Sequence, residues 1–379
     1  MDYAATTPVD PRVVETMIPY FTKFYGNPSS LNSFGIEAKK GLEKSRETIA
    51  EFMNADTDEL IFTASATEAN NLILKGHVFE KGKAKCHVAV SKIDHDCILN
   101  SAKWLEKQGF KVTYLPVDKY GLLIEDTLRE VMEENVTLVS VVHGNNEIGT
   151  IQPIDKIAQI CHEHGALFHT DAVQSFGKLP INVEDMHIDF MTINAHKMYG
   201  PKGVGALYIK KDLNIQPLTH GGGHEHGLRS GTENVPGIVG FAKAVELRKE
   251  EMHREKEQLT HFRDKLIEGA LEISDVFLNG HPVERLPNNA AFRFSYIEGE
   301  ALALNLDVEG IAASSGSACS SMVGEPSHVL LAIGLKPEEA RGSLRLSLGK
   351  YNTADDIDYV LQVLPKVVKR LRTMSPLKP

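Results

Sequence analysis

From about residue 58 onward, short runs of β-branched and aliphatic residues alternate with longer stretches in which apolar positions return every three or four residues. The first texture predicts buried strands and the second amphipathic helices, so their alternation predicts βαβ units around a mainly parallel sheet. Strands are expected at 59–63, 87–91, 111–115, 137–142, 166–170, 189–193 and 205–209. Helical spacing is plain at 97–107 and 153–164, with Pro153 expected in the first turn of the latter, where a missing N–H is harmless. Past Gly221-Gly222-Gly223 the pattern becomes one long charged helix, about 235–271, with acidic and basic residues three or four apart; it is expected to bridge two domains. An isolated strand at 289–295, a helix from 299, a Ser/Gly-rich loop at 314–321, a strand at 343–347 and a closing helix from 353 follow. The predicted class is α/β: a large domain over 11–255 built on a mainly parallel seven-stranded sheet, and a smaller α+β domain made of 1–10 and 256–379.

At 379 residues the chain exceeds one compact core, which agrees with two domains sharing a cleft. A formal charge of −10 without a dense basic cluster argues against direct contact with nucleic acid. No apolar stretch reaches the roughly 18 residues of a spanning helix, and Met1-Asp2-Tyr3-Ala4-Ala5 lacks a basic leader, so a cytoplasmic protein without a membrane partner is expected. The cysteines, Cys86, Cys97, Cys161 and Cys319, form neither a Cys-x-x-Cys pair nor a zinc-like spacing with histidine, so no disulfide and no intrinsic metal are expected. The first three neighbour aliphatic residues and read as small packing groups. Cys319 stands in Ser314-Ser315-Gly316-Ser317-Ala318-Cys319-Ser320-Ser321, where nothing apolar anchors the backbone. An exposed, mobile arm is expected there, able to carry a thiol into a buried site and out again; an incidental loop thiol is the plainer alternative.

In parallel sheets, ligands gather beyond the carboxyl ends of strands. Polar clusters follow four predicted strand ends, at 63–68, 143–147, 171–174 and 194–197. Lys197 is presented by a polar, glycine-containing loop directly after an apolar run, the setting of a nucleophile rather than of an ordinary surface lysine, with Asn194 and His196 at hand to anchor a phosphate. Asp171 and Gln174 close the run before it and are the groups needed to hold a protonated pyridine ring. Together they describe a pyridoxal phosphate site. Thr67 is expected to cap a helix whose free N–H groups seat the phosphate, although a cap alone is the simpler reading. His95 suits either stacking on a flat cofactor or moving protons, a surface histidine being the alternative. Arg345 offers a planar fork for an α-carboxylate, or a surface salt bridge. His224 and His226, without a third ligand nearby, read as loop residues rather than a metal site.

With these residues in view, the chain closely resembles the pyridoxal-phosphate-dependent cysteine desulfurases of the class V aminotransferase superfamily. The resemblance runs through Asp2-Tyr3-Ala4-Ala5-Thr6-Thr7-Pro8, Gly26-Asn27-Pro28-Ser29-Ser30, Ala66-Thr67-Glu68, Asn145-Asn146-Glu147-Ile148-Gly149, His196-Lys197, Arg229-Ser230-Gly231-Thr232 and Ser315-Gly316-Ser317-Ala318-Cys319. The Ser-Ser-Gly-Ser-Ala-Cys form resembles the subgroup with a long cysteine loop that serves iron–sulfur assembly. It implies a fold-type I homodimer with Lys197 as the Schiff-base lysine, Asp171 on the pyridine nitrogen, Gln174 on the ring hydroxyl and His95 stacked above the ring. The Ala66 backbone, Thr67 and His196 would hold the phosphate, joined by Thr232 from the second subunit, with the amide of Asn194 in place of a family hydroxyl. Asn146 and Arg345 would hold the carboxylate of L-cysteine, and Cys319 would become a persulfide and serve as a transient iron–sulfur ligand. Lys197, His95 and Cys319 are the implied catalytic residues. The implied partners are an iron–sulfur scaffold protein and other sulfur acceptors. Two positions depart from the family pattern. Asn194 stands where relatives commonly have Ser, and only Lys378-Pro379 follows Leu377 where longer members carry a scaffold-docking tail. An aminotransferase or selenocysteine lyase using the same cofactor, and an assembly platform holding a cluster through Cys319, are the competing readings.

Overall fold

The computed structural model describes residues 1–316 and 326–376. Seven strands, β1 (Leu60–Thr63), β2 (His87–Ser91), β3 (Lys111–Leu115), β4 (Leu138–Val142), β5 (Leu167–Asp171), β6 (Phe190–Asn194) and β7 (Gly205–Ile209), form one sheet in the order β1-β7-β6-β5-β4-β2-β3. Strands β2 to β6 run parallel, whereas β7 is antiparallel to both β6 and β1. Only a short loop without a crossover helix separates β6 from β7, and such a connection returns the chain in the opposite direction. Central strands such as β4 and β6 are buried at every residue, because helices cover both faces of the sheet.

The helices are α1 (Pro11–Met17), α2 (Pro19–Thr22), α3 (Ser33–Phe52), α4 (Ala66–Lys81), α5 (Asp96–Lys107), α6 (Glu125–Met132), α7 (Ile154–Glu163), α8 (Val235–Leu271), α9 (Gly299–Val308), α10 (His328–Ala332), α11 (Pro337–Arg341) and α12 (Ala354–Met374). Helix α5 buries Ile98, Leu99, Ala102 and Leu105, the i, i+1, i+4, i+7 stripe of a helix lying on a sheet. Pro153 is the N-cap of α7 rather than a first-turn residue, which leaves its missing N–H equally harmless. The 37 residues of α8 span roughly 55 Å. Phe241, Ala244 and Val245 of its first half pack in the core beneath the large sheet, and Leu259, Phe262 and Leu266 of its second half join a separate core with α12.

That second core surrounds a three-stranded antiparallel sheet, β10 (Ser343–Ser347), β9 (Asn289–Phe294) and β8 (Val276–Leu278). The strand expected to be isolated at 289–295 is therefore the middle one. Its partner β8, Val-Phe-Leu, is three residues long and carries no period, so nothing local announces it. The N-terminal segment crosses between the two units: Met1 packs against the second core, Asp2 bridges to Ser347, and Thr7 and Asp10 donate backbone N–H groups to His196 and Tyr199 carbonyls. It forms one wall of the cleft between the units.

Candidate active site

A cavity of about 260 Å³ opens at the carboxyl ends of β2, β4, β5 and β6. Lys197 reaches it because β6 ends at Asn194 and the next residues form a single tight turn, Ala195–Lys197, whose first N–H groups are capped by the Asn194 side chain accepting from His196 N at 3.3 Å. The Lys197 Nζ donates to the carbonyls of Ala4 and Ala5, each at 2.7 Å. Ala4 O also accepts from Gln174 Nε2 at 2.9 Å, so the N-terminal segment ties the lysine to the loop after β5. Asp171 is the last residue of β5 and is buried; one carboxylate oxygen accepts from Asn70 Nδ2 at 2.8 Å and the other from Val173 N at 3.0 Å.

The side expected to seat a phosphate is built on α4. Ser65, not Thr67, is its N-cap, accepting from Glu68 N at 3.1 Å, and Thr67 lies inside the first turn. The expectation misplaced the cap because both residues are hydroxylic and only Ser65 has the extended backbone a cap needs. Glu68 would oppose an anion here, but Arg229 neutralises it with an ion pair at 2.8 Å. Gly205 of β7 makes room for this turn: a Cβ there would stand 2.9 Å from Ile193 O and 3.2 Å from Ala66 N. His196 is held neutral, its pKa depressed to about 4 by burial and by the positive charges of Lys197, Lys202 and Lys178. Its Nδ1 lies 3.1 Å from Thr6 Oγ1. With Asn194 Oδ1 spent on the turn, Nδ2 is the donor that side chain retains.

His95 is the N-cap of α5, its Nδ1 accepting from Cys97 N at 3.2 Å, rather than a surface histidine. A backbone N–H can only donate, so the neutral ring carries its proton on Nε2. Cys97 was expected to be a packing residue; it lines the cavity instead, its Sγ 3.1 Å from both His95 Nδ1 and Asn70 Nδ2, and burial together with the Asp171 charge pushes its thiol up to about 12. Arg345, in the middle of β10, is buried rather than at the surface: one terminal nitrogen donates to Asn146 O at 2.8 Å and the other to Asp2 Oδ1 at 3.0 Å, while Nε has no partner among the described residues. Asn146 lines the same cavity.

Of the expected site residues, Thr232 is not brought to this cavity. It is exposed, in a separate depression with Thr63, Arg229 and Glu233. Cys319 lies outside the described residues. The start of its segment is held by polar rather than apolar contacts: Ser314 is buried and exchanges backbone hydrogen bonds with Arg345. Sequence reasoning passed over Glu147, His328, Asn70 and Cys97, all in or directly behind the cavity wall. Glu147 had a signal, lying in the polar cluster after β4; His328 and Asn70 sit in helices and had none.

The donor set fits pyridoxal phosphate. It offers a buried carboxylate that could face a ring nitrogen, a lysine amine in the same cavity and a helix N-terminus with a neutralised glutamate.

The model of the family described as aminotransferase class-V matches residues 1–360. A cysteine desulfurase IscS 1 of Archaeoglobus fulgidus is 52% identical over 376 residues, covering 99% of this chain and 98% of the relative. Among solved structures, a NifS-like protein shares 40% identity at a TM-score of 0.92, covering 98% of this chain and 99% of its own. SspA, solved in complex with cysteine, shares 39% identity at a TM-score of 0.83, covering 93% and 99%. Likeness of this extent, over both cores and the cleft between them, means that the chain belongs to the class-V aminotransferase family, among its cysteine desulfurases.

Proposed function

We propose that the protein is a pyridoxal-phosphate-dependent cysteine desulfurase that converts L-cysteine to L-alanine and keeps the sulfur as a persulfide on Cys319. The observation that carries this reading is the convergence of Lys197, Asp171 and Arg345, from three separate segments, on one cavity in a chain whose relatives bear that activity. Bound pyridoxal phosphate supplies an aldehyde for the substrate amine and a cationic ring that takes up carbanion electrons.

The chain's own residues do the rest. Asp171, fixed by Asn70 and Val173, would face the ring nitrogen with its carboxylate, and Gln174 lines the same cavity. Arg345 and Asn146 hold the substrate carboxylate, the arginine through its unpartnered Nε. Lys197 Nζ removes the proton from the substrate α-carbon, and His95 handles a second proton through Nε2. Cys319 attacks the substrate sulfur: the carbon–sulfur bond breaks, a sulfur–sulfur bond forms, and cysteine plus thiol become alanine plus persulfide.

The protein works as a homodimer in this reading. Exposed Ile18, Phe21, Tyr25, Leu31 and Phe34, with Leu31 96% exposed, offer apolar surface that a second copy would cover. Thr232, exposed and away from its own cavity, suits donation to the partner's phosphate. An iron–sulfur scaffold protein and other sulfur acceptors take the persulfide sulfur. A cytoplasmic setting is part of the proposal, and among the described residues no helix is long and apolar enough to cross a membrane.

Holoenzyme mixed with L-cysteine should yield alanine and one added sulfur on Cys319 by mass spectrometry. Lys197→Ala should lose the cofactor's absorbance band, while Cys319→Ser should keep the band and form no persulfide. Sulfide release by Cys319→Ser at the parent rate would overturn the assignment.

A further inference from the structure

The residues on either side of 317–325 converge on one buried carboxylate. Glu147, 4% exposed on the cavity wall, accepts a hydrogen bond from Ser327 Oγ at 2.5 Å. On the other side of the segment, a Cβ built on Gly316 would stand 3.5 Å from the same Glu147 oxygen, so that backbone also lies against the carboxylate. The next residue along, His328, lines the cavity and donates from Nε2 to the carbonyl of Asp94 at 2.9 Å; its Nδ1 lies 3.8 Å from Asp96 Oδ1. Val329 and Leu330 of α10 then bury themselves against Ile93, Val142 and Ile148. This short helix thus belongs, by packing and by polar contact, to the wall that carries His95 and Asn146, although α9 before it and β10 after it belong to the other core.

We infer that Glu147 is a positioning residue: through Ser327 its carboxylate, and through His328 the Asp94 carbonyl, set where the chain bearing Cys319 leaves and rejoins the active-site wall. The inference rests on the reading of Cys319 as the sulfur-accepting thiol. Where the two ends of that segment are anchored bounds what its thiol can reach, and a misplacement of about 1 Å can cost roughly 100-fold in rate. Ser327 does not line the cavity that holds Lys197 and Asp171, so events at the cofactor should proceed without its hydroxyl.

The test is a single turnover of holoenzyme with L-cysteine, read in two ways: the change in the cofactor's absorbance on mixing, and the gain of one sulfur on Cys319 by mass spectrometry. Glu147→Ala and Ser327→Ala should each slow sulfur gain by about 10- to 100-fold, Ser327→Ala should leave the absorbance change at the parent rate, and the double variant should gain sulfur no more slowly than the worse single. His328→Gln, which keeps a donor for the Asp94 carbonyl, should transfer sulfur normally, and His328→Phe should not. Sulfur gain at the parent rate in both alanine variants, or equal loss of both readouts in Ser327→Ala, would overturn the inference, as would failure of His328→Gln to match the parent. If Glu147→Ala does not fold, Ser327→Ala and the His328 pair decide alone. Absence of sulfur gain in the parent enzyme would instead strike the proposed function.

Discussion

Acid should destabilise this protein through three histidines locked inside it. His77, His143 and His169 are all at most 4% exposed, and burial lowers their pKa values from 6.5 to about 4, about 4 and about 3. Their surroundings match a neutral ring: His169 sits between Ser140 Oγ at 2.9 Å and Thr192 Oγ1 at 3.1 Å, and His77 Nε2 meets Thr137 Oγ1 at 3.0 Å. A pKa lower in the folded state means that the unfolded chain binds more protons between pH 6.5 and about 4, so stability is complete above pH 6.5 and is lost as the pH falls through that window. Near pH 5.3 each histidine takes up roughly one proton on unfolding. Asp94 opposes them: buried completely and facing Asp171, its carboxyl is pushed well above the usual range, so it releases up to one proton on unfolding. With His196, likewise depressed to about 4, counted beside these three, the balance is about three protons, and at 1.36 kcal/mol per proton per pH unit the stability should fall by roughly 4 kcal/mol between pH 5.8 and 4.8. Proton uptake on urea unfolding near pH 5.3, followed with an indicator dye, measures the balance directly. His169→Gln preserves partners for Ser140 and Thr192 and should reduce the uptake by about one proton. An uptake near zero in the parent, or no change in His169→Gln, would refute the reasoning.

Glu225→Gln should cost about 3–5 kcal/mol in urea denaturation, because it strips the charge facing Arg46 in an ion pair of 2.8 Å whose side chains are 5% and 2% exposed; a loss below about 0.5 kcal/mol would show that the pair is not effectively buried. Gly205→Ala should weaken cofactor retention by roughly tenfold, measured as absorbance remaining after gel filtration, since the new Cβ meets the backbone of Ile193 and Ala66, which cannot rotate away. Thr353→Ala should remove about 1 kcal/mol of stability by deleting the cap that accepts from Asp356 N, with no effect on the cofactor band.

The alternation of apolar runs and helical stripes was enough to locate all seven strands of the large sheet to within a residue or so, and the limits of α8, because strand and helix periods are local properties of a segment whose two sheet faces or single helix face are buried. It was also enough to pick out Lys197 and Asp171, since both close such runs at the edge where a parallel sheet binds ligands. What periodicity does not encode is who lies across the cleft. The reversal of β7, the pairing of short β8, the carbonyls of Ala4 and Ala5 on Lys197, the Asp2 carboxylate on Arg345 and the Ser327 hydroxyl on Glu147 each join residues brought together only by packing of the completed fold. Local sequence determined which elements form and which reactive groups end them; the burial of two cores against one another determined which partners those groups meet, because a hydrogen bond between distant segments exists only after the chain entropy of bringing them together has been overcome.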